Sequence, residues 1–278
     1  MNTLGFYRNR NNTLEVQKIR LETLVKKYGT PLHIYDGNLI AKSYNNLKNS
    51  LNSVNGDIHY AIKANDNLGI ISFLHDLGCG ADVVSIGELK KCLRVGINPK
   101  NIIFSGVGKQ IHEIEFAIIK NIKQLNIESL DELQDVKNTS EKIKKKINIA
   151  IRVNLDIKPN THRKISTGDE SSKFGISLRE VPEVYKIITK SNYLNPVGLA
   201  IHIGSQIFDF DLLAKTYSEL KDLAGSLIKQ GFKVERLDLG GGFGVNYKKF
   251  EIESFDKLKK VLISLFFNTD FKISLEPG

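Results

Sequence analysis

The stretch Ile58-His59-Tyr60-Ala61-Ile62-Lys63-Ala64-Asn65 is an apolar run that contains a lysine near its end. Such a run predicts a buried β-strand, and Lys63 at its end has two interpretations. Burial lowers the pKa of an amine, and a neutral amine can attack a carbonyl to form a Schiff base. Alternatively, Lys63 lies just past the strand and extends its ammonium group to water. The octapeptide alone does not decide between them.

Seven more apolar runs follow along the chain, and helical stripes separate most of them. Most are short and continuous rather than alternating, as expected for a parallel sheet that is covered on both faces. Eight such units predict an α/β fold, a (β/α)8 TIM-type barrel with its chemistry at the C-terminal ends of the strands. An open doubly wound sheet is the alternative. The predicted strands are Ile58–Ala64, Ala81–Val84, Ile102–Ser105, Gln124–Ile127, Ile147–Val153, Val197–Ile203, Val234–Leu239 and Lys272–Leu275.

A helix is predicted before the first strand and none after the eighth, so the first helix can fill the place of the last. We therefore assign residues 37–278 to the barrel. Residues 1–36 precede it, have no evident partner strands, and are predicted to belong to another domain. Because the sequence stops at Glu276-Pro277-Gly278, where an active-site loop would begin, we expect a piece of a longer protein.

Composition excludes several classes of protein. The 278 residues carry a net charge of +9, spread along the chain, and we interpret the run Lys142–Lys146 as a solvated helix end rather than a nucleic-acid site. The two cysteines, Cys79 and Cys92, give neither a disulfide framework nor metal-ligand spacing, which fits a reducing cytosol. No signal peptide or membrane span is visible, so a cytoplasmic protein is predicted.

Polar residues follow the predicted strands and would gather at one mouth of the barrel. They are Lys63, Asp82, Ser85, Ser105, Gly106, Arg152, Asn154, His202, Gly204, Ser205, Asp238, Gly240, Gly241, Gly242 and Glu276.

Three of these groups indicate a ligand, although each has a simpler explanation. The run Gly240-Gly241-Gly242-Phe243-Gly244 lets backbone N–H groups approach a phosphate, or else it forms only a tight turn. His202 stacks on a flat ligand, or it is a core histidine. Glu276 accepts from a cation or proton donor such as a protonated pyridine nitrogen, or it pairs with one of the many lysines.

Together these residues resemble the fold-type III decarboxylases that use pyridoxal 5′-phosphate. Within that family, Thr161–Gly168 followed by Lys173-Phe174-Gly175 resembles the diaminopimelate branch rather than the ornithine or arginine branches. The resemblance extends from about Pro31 to Gly278 and rests on six fragments in family order. They are Tyr60–Asn65, Gly80–Leu89, Phe104–Lys109, His202–Gln206, Asp238–Gly244 and Glu276–Gly278.

The resemblance implies a role for each matching residue. Lys63 would hold the cofactor as a Schiff base and later help to deliver a proton, so Lys63 and His202 would be the catalytic residues. His202 would stack on the pyridine ring, and Glu276 would keep the ring nitrogen protonated. Arg152 and Asp82 would lie near the cofactor. The phosphate would be bound by Ser205, by the amides of Gly240, Gly241 and Gly242, and by the backbone of Glu276, Pro277 and Gly278. No metal is implied.

The implied reaction is decarboxylation of meso-2,6-diaminoheptanedioate to L-lysine and carbon dioxide. In the family, a β-rich domain to which residues 1–36 would belong completes the active site across a homodimer, and most of that domain is absent here. An arginine that the family places after Gly278 is also absent. Two alternatives stay open: an inactive fragment or pyridoxal-phosphate carrier, and a decarboxylase of the same fold acting on ornithine, arginine or carboxynorspermidine.

Overall fold

The computed structural model describes residues 6–9, 12–156, 174–245 and 255–278. Its N-terminal part is a small antiparallel sheet followed by a helix: β1 (Phe6–Arg8), β2 (Leu14–Val16), β3 (Ile19–Arg20) and α1 (Leu21–Tyr28). The expectation that residues 1–36 have no partner strands is wrong, because these three strands pair with one another, Phe6 opposite Val16. Each has only two or three residues, too few for a periodic pattern. Their assignment to a second domain stays a prediction.

Eight parallel strands form a closed barrel, which confirms the predicted fold. Strand β8 pairs with β10 and β12 pairs with β4, and the two-residue β9 only extends β8. All eight predicted strands are present, although the sixth ends three residues early. The strands are β4 (Gly56–Ala61), β5 (Gly80–Val83), β6 (Ile102–Phe104), β7 (Gln124–Ile127), β8 (Ile147–Asn154), β9 (Ile176–Ser177), β10 (Leu194–Ala200), β11 (Arg236–Asp238) and β12 (Lys272–Leu275).

Helices surround the barrel. Helix α2 precedes β4 and packs against both α3 and α9, so it closes the ring as predicted. It begins where the Asp36 carboxylate accepts hydrogen bonds from the N–H groups of Asn38 and Leu39. The helices are α2 (Gly37–Ser50), α3 (Leu68–Asp76), α4 (Ile86–Arg94), α5 (Ile111–Lys120), α6 (Leu130–Ile143), α7 (Val181–Thr189), α8 (Phe210–Lys229) and α9 (Asp256–Phe266).

The strands separate an apolar layer from a polar lumen. On β7, Leu125 and Ile127 join the apolar core against the helices, so Gln124 and Asn126 face the lumen by the period-two alternation of a strand. The same alternation turns Asp238 of β11 inward, because Leu237 belongs to the core. The lumen is therefore lined by polar side chains that lead towards the carboxyl ends of the strands.

Within the described ranges, no helix is both long and apolar enough to cross a membrane. No cluster of three or more His, Cys, Asp or Glu side chains in these ranges could hold a metal ion. Cys79 and Cys92 are both buried and unpaired with each other.

Candidate active site

Lys63 lies in a 3₁₀ turn, Ile62–Ala64, that directly follows β4. It was predicted to lie within the strand, which instead ends at Ala61, whose N–H donates to the carbonyl of Pro277 (2.8 Å). The Nζ atom of Lys63 is 3.0 Å from Oδ2 of Asp82, a carboxylate that is fully buried. The Lys63 side chain is 49% exposed, so its amine is open to the barrel mouth.

The charge on Lys63 differs from expectation. Burial opposes the ammonium form, but the carboxylates of Asp82 and Glu276 outweigh it and raise the pKa of Lys63. This direction of the pKa shift contradicts the interpretation that burial makes the Lys63 amine neutral. Lys63 is an ammonium ion held by Asp82, and it must lose a proton before it can attack a carbonyl.

His202 follows β10 and is neutral. Burial, together with the charges of Arg152 and Lys63, lowers the pKa of His202 to about 3. Arg152 projects from β8, where its Nη1 donates to Oε1 of Glu128 (3.0 Å) and its Nη2 donates to the carbonyl of His202 (3.4 Å). Arg152 thus joins the ends of three strands around the uncharged imidazole.

The glycine run after β11 is a turn that other residues do not fit. Gly240 and Gly242 have φ angles of 68° and 79°, in the left-handed region. A Cβ atom on Gly241 would overlap the carbonyl of Glu276, and one on Gly242 would overlap the carbonyl of Gly204. The Gly240 amide donates to Oδ1 of Asp238 (3.1 Å), whereas the amides of Gly241 and Gly242 donate to no other described protein atom.

The loop after β10 is tied to this turn. Ile207 donates its N–H to the carbonyl of Gly242, and Gly244 donates to the carbonyl of Ile207, both at 2.9 Å. Ser205 is exposed on this loop, next to Gly204. The two loops therefore bring a serine hydroxyl and two glycine amides to one side of the mouth, as a phosphate site requires.

Glu276 follows β12 and is buried, with 8% exposure. Its N–H donates to the carbonyl of Gly240 (2.8 Å), and its Oε1 atom has no hydrogen-bond donor among the described residues. Burial, aided by the charges of Asp238 and Asp82, raises the pKa of Glu276 well above its usual value. Beyond it, a Cβ on Gly278 would lie 3.2 Å from the Cβ of Ala64, so the segment that ends the sequence borders the Lys63 turn.

Two buried acids near this mouth were not predicted. Glu128 accepts hydrogen bonds from Arg152 and from the N–H of Gly106 (2.7 Å), and Glu132 forms an ion pair with the buried amine of Lys109 (2.5 Å). Glu128 directly follows the strand Gln124–Ile127. A polar residue directly after a predicted strand is the sequence signal that indicates Glu128, as it does for the other strand ends.

The segment Thr161–Gly168 and Lys173, which distinguished the branches of the family, lie outside the described residues. Phe174 is described, and its ring centre is 5.1 Å from the guanidinium carbon of Arg152.

A closed (β/α)8 barrel with this polar mouth defines a TIM-barrel protein whose ligand site lies at the carboxyl ends of its strands. The chain belongs to the pyridoxal-dependent decarboxylases, since the model of that family's pyridoxal binding domain matches residues 38–278.

Diaminopimelate decarboxylases are among the individual relatives that this chain matches. The chain is 41% identical over 258 residues to a diaminopimelate decarboxylase of Helicobacter pylori, covering 92% of this chain and 64% of the relative. It is 38% identical over 270 residues to one of Aquifex aeolicus, covering 97% and 64%. A crystal structure of the Helicobacter pylori enzyme complexed with L-lysine superposes with a TM-score of 0.89 at 38% identity, covering 93% of this chain and 66% of the other. The chain thus spans about 64% of the length of these curated relatives.

The mouth fits the cofactor that the family implies. The glycine turn leaves space that a Cβ would fill, and it has two amides turned to no described protein acceptor. Buried acceptor atoms without a donor, Oε1 of Glu276 and Oδ1 of Asp82, suit a protonated ring nitrogen and a positively charged nitrogen.

Proposed function

We propose that this chain forms the cofactor barrel of an enzyme that decarboxylates meso-2,6-diaminoheptanedioate to L-lysine and carbon dioxide. The observation that carries the proposal is the Lys63–Asp82 ion pair (3.0 Å) at the same mouth as the glycine turn and Glu276. The substrate is supported by the names of the relatives, diaminopimelate decarboxylases at 38–41% identity. One solved relative is complexed with L-lysine, the product expected of this reaction.

Pyridoxal 5′-phosphate supplies an aldehyde for amines and a protonated pyridine ring that withdraws the electrons left at the α-carbon when carbon dioxide departs. In our proposal Lys63 holds it covalently and Asp82 orients the Lys63 nitrogen. The amides of Gly241 and Gly242 and the hydroxyl of Ser205 bind its phosphate. Gly240 maintains the turn, because its amide is bonded to Asp238. The backbone of Pro277 and Gly278 completes this side.

The side chains around the ring divide the electrostatic work. His202 is neutral because burial lowers its pKa to about 3, so its imidazole can pack on the face of a pyridinium ring without charge repulsion. Glu276 holds a proton at the ring nitrogen through the oxygen that lacks a donor. Arg152, fixed by Glu128, holds the carbonyl of His202 and thereby the imidazole.

Lys63 also moves the proton that the reaction needs. Its ammonium form is stabilised by Asp82, so attachment requires transfer of that proton to water or to an approaching basic group. With substrate bound, the Lys63 nitrogen would be the group placed to return a proton to the α-carbon. Attachment is therefore expected to become faster as the pH rises towards the pKa of Lys63.

A second candidate is a barrel that binds pyridoxal phosphate without decarboxylating an amino acid. It is favoured by the family match over residues 38–278, which is to a pyridoxal binding domain. Carbon dioxide release from diaminopimelate, compared with ornithine, arginine, lysine and carboxynorspermidine, separates these functions. Release from diaminopimelate alone supports the proposal, release from another substrate reassigns the specificity, and cofactor binding without release supports the second candidate.

The cofactor site is tested separately. Incubation with pyridoxal phosphate and reduction with borohydride should attach one cofactor to Lys63, located by peptide mass spectrometry. The variant Lys63→Ala should lose that attachment. Lys91→Ala is the matched control, since Lys91 is another exposed lysine paired with an aspartate, Asp66. Attachment that persists at another lysine in Lys63→Ala would refute the assignment.

We also propose that the protein works as a homodimer in the cytoplasm, on the support of the family resemblance alone. Sedimentation velocity of the protein with and without pyridoxal phosphate measures the oligomeric state, and a monomer in both conditions would refute the homodimer.

A further inference from the structure

A row of polar side chains extends from the middle of the barrel lumen to Glu276. Gln124 donates to Oδ1 of Asn126 (2.7 Å), and Asn126 donates to Oγ of Ser105 (3.0 Å). The Asn126 amide also acts on the carboxyl of Asp238. Asp238 ends β11 and Glu276 follows the neighbouring β12, and Gly240 links them: its N–H donates to Oδ1 of Asp238 (3.1 Å) and its carbonyl accepts from the N–H of Glu276 (2.8 Å). Each of the two carboxyls acts on the pKa of the other. Asp238 is 1% exposed, so this row of side chains is not in contact with bulk water at Asp238.

A hydrogen bond between these two carboxyls requires a proton on one of them. Two ionised carboxylates are both acceptors, and one oxygen of each, Oδ2 of Asp238 and Oε1 of Glu276, then lacks a donor among the described residues. A buried acceptor without a donor is costly. If one carboxyl keeps its proton, it donates to the other and the pair is satisfied.

The surrounding charges favour the same state. Lys63 pairs with Asp82 and Arg152 pairs with Glu128, so neither Asp238 nor Glu276 has an ion-pair partner among the described side chains. The other titratable groups that act on the pair are Asp82 and Lys63 at the mouth, Lys123 deeper in the barrel and Tyr217 on α8. Burial raises the pKa of Asp238 to about 6, and it raises the pKa of Glu276 well above its usual value. Two adjacent buried negative charges would be expensive, and one proton removes that cost.

We propose that Asp238 and Glu276 share one proton in the cofactor-free barrel, so that Asp238 is a positioning residue that keeps a proton at Glu276. A basic ring atom placed against Glu276 then meets a site that already contains the proton it needs. Asp238 does not touch the cofactor in this arrangement; it acts through Glu276. The inference rests on the proposed function only for its purpose, since the shared proton exists without cofactor or substrate.

Infrared spectroscopy of the cofactor-free protein tests it. At pH 7.5, where ordinary carboxyls are ionised, the wild type should show the carbonyl stretch of about one protonated carboxyl that both Asp238→Asn and Glu276→Gln remove. Each substitution leaves a single carboxylate with an amide donor beside it. The variant Glu132→Gln, which removes another buried acid with a raised pKa, is the control and should keep this band.

Two variants, Asp238→Asn and Glu276→Gln, are used so that the test survives if one of them fails to fold. Circular dichroism shows whether each variant is folded. A wild-type spectrum without such a band would overturn the proposal, and so would a band that survives in both the Asp238→Asn and the Glu276→Gln variants. A band lost in only one folded variant would place the proton on that residue alone and would also refute sharing. None of these outcomes depends on decarboxylation, so failure of the proposed function would leave this result unchanged.

Discussion

The two ends of the barrel each place a lysine beside an aspartate, yet the pKa values of the two amines shift in opposite directions. At the carboxyl end, Lys63 is 3.0 Å from Asp82, and carboxylates raise its pKa. At the amino end, Lys123 is 3.3 Å from Asp57 and 2.9 Å from Nε2 of His59. Burial, aided by the nearby Arg236 charge, lowers the pKa of Lys123. The amine that is easier to neutralise is therefore not the one at the proposed site.

The difference teaches that geometry, rather than the pKa of an amine, defines the site. Around Lys123 most polar groups pair with one another: Arg236 and Asn148 both donate to the Lys123 carbonyl, and Asn195 donates to Asn148. Nδ1 of His59 has no hydrogen-bond partner among the described residues. Only 11% of the Lys123 side chain is exposed. The carboxyl end instead has an open amine, a glycine turn and acceptors without donors. This division agrees with the usual roles of the two faces of a TIM barrel, chemistry at one and stability at the other.

The largest effect is expected from replacing the two lysines, Lys63 and Lys123, that distinguish the two ends of the barrel. Lys63→Met should reduce covalent attachment of pyridoxal phosphate to background, because Lys63 has an exposed amine at the same mouth as the glycine turn. Lys123→Met should leave attachment unchanged. Borohydride reduction followed by intact-mass spectrometry measures both. Attachment to Lys123 in the Lys63→Met protein would show that a lowered pKa outweighs the geometry of the mouth.

The second effect concerns close backbone packing at the two ends. Gly241→Ala would force a Cβ into the Glu276 carbonyl, and Gly80→Ala would force one into the His59 ring and the Asn101 carbonyl. Each should lower the free energy of unfolding by about 2–4 kcal/mol, measured by urea titration. Only Gly241→Ala should also weaken pyridoxal phosphate binding to the protein that remains folded. Equal weakening in both variants would mean that binding follows overall stability rather than the turn.

Much of the fold could be predicted from the sequence because the strands are buried on both faces. Gln124–Ile127 and Lys272–Leu275 were predicted with their observed bounds. The apolar run Val197–Ile203 extended too far, since Ile201 and Ile203 stay buried in a loop that a hydrophobic pattern cannot distinguish from a strand. The N-terminal sheet was missed because β1 to β3 are short and partly exposed.

The site could be predicted only where strand ends carry unusual residues. Lys63 and Glu276 were recognised by position, but the raised pKa of Lys63 depends on Asp82, nineteen residues away, and on Glu276 at the far end of the chain. Glu128 resembles an ordinary acid before a helix until its contact with Arg152 is seen. Pairings across the barrel are long-range, and residue order alone does not give them.

The third effect uses the two histidines, one near each lysine. Burial lowers the pKa of His202 to about 3 and that of His59 well below its usual value. Both are neutral when folded, so their stabilisation is complete above pH 6.5 and is lost as the pH falls below it. Between pH 7.5 and 5 the His202 contribution should fall by about 2 kcal/mol.

Urea unfolding at the two pH values measures this loss. The wild type should lose more stability on acidification than His202→Asn does, and more than His59→Asn does. Comparison with each variant is needed because the Asp238–Glu276 pair, whose pKa values are raised, gains stability over the same fall in pH. A His202→Asn protein that loses as much as the wild type would show that folding does not lower the pKa of this imidazole.

The smallest effect is expected at the ion pair of the amino end. Asp57 is 69% exposed, so its attraction to Lys123 is screened by water, and Asp57→Asn should cost at most about 1 kcal/mol of unfolding free energy. The cost should shrink further in high salt. Asp82→Asn is the matched variant at the carboxyl end, where the lost acceptor is buried and the cost should be several-fold larger, with a fall in the pKa of Lys63. Urea titration at low and high salt, with attachment of pyridoxal phosphate followed against pH, measures both differences. If the two substitutions cost the same and leave the pH dependence of attachment alike, then the buried carboxylate at Asp82 does not set the charge of Lys63, and the two ends are electrostatically equivalent.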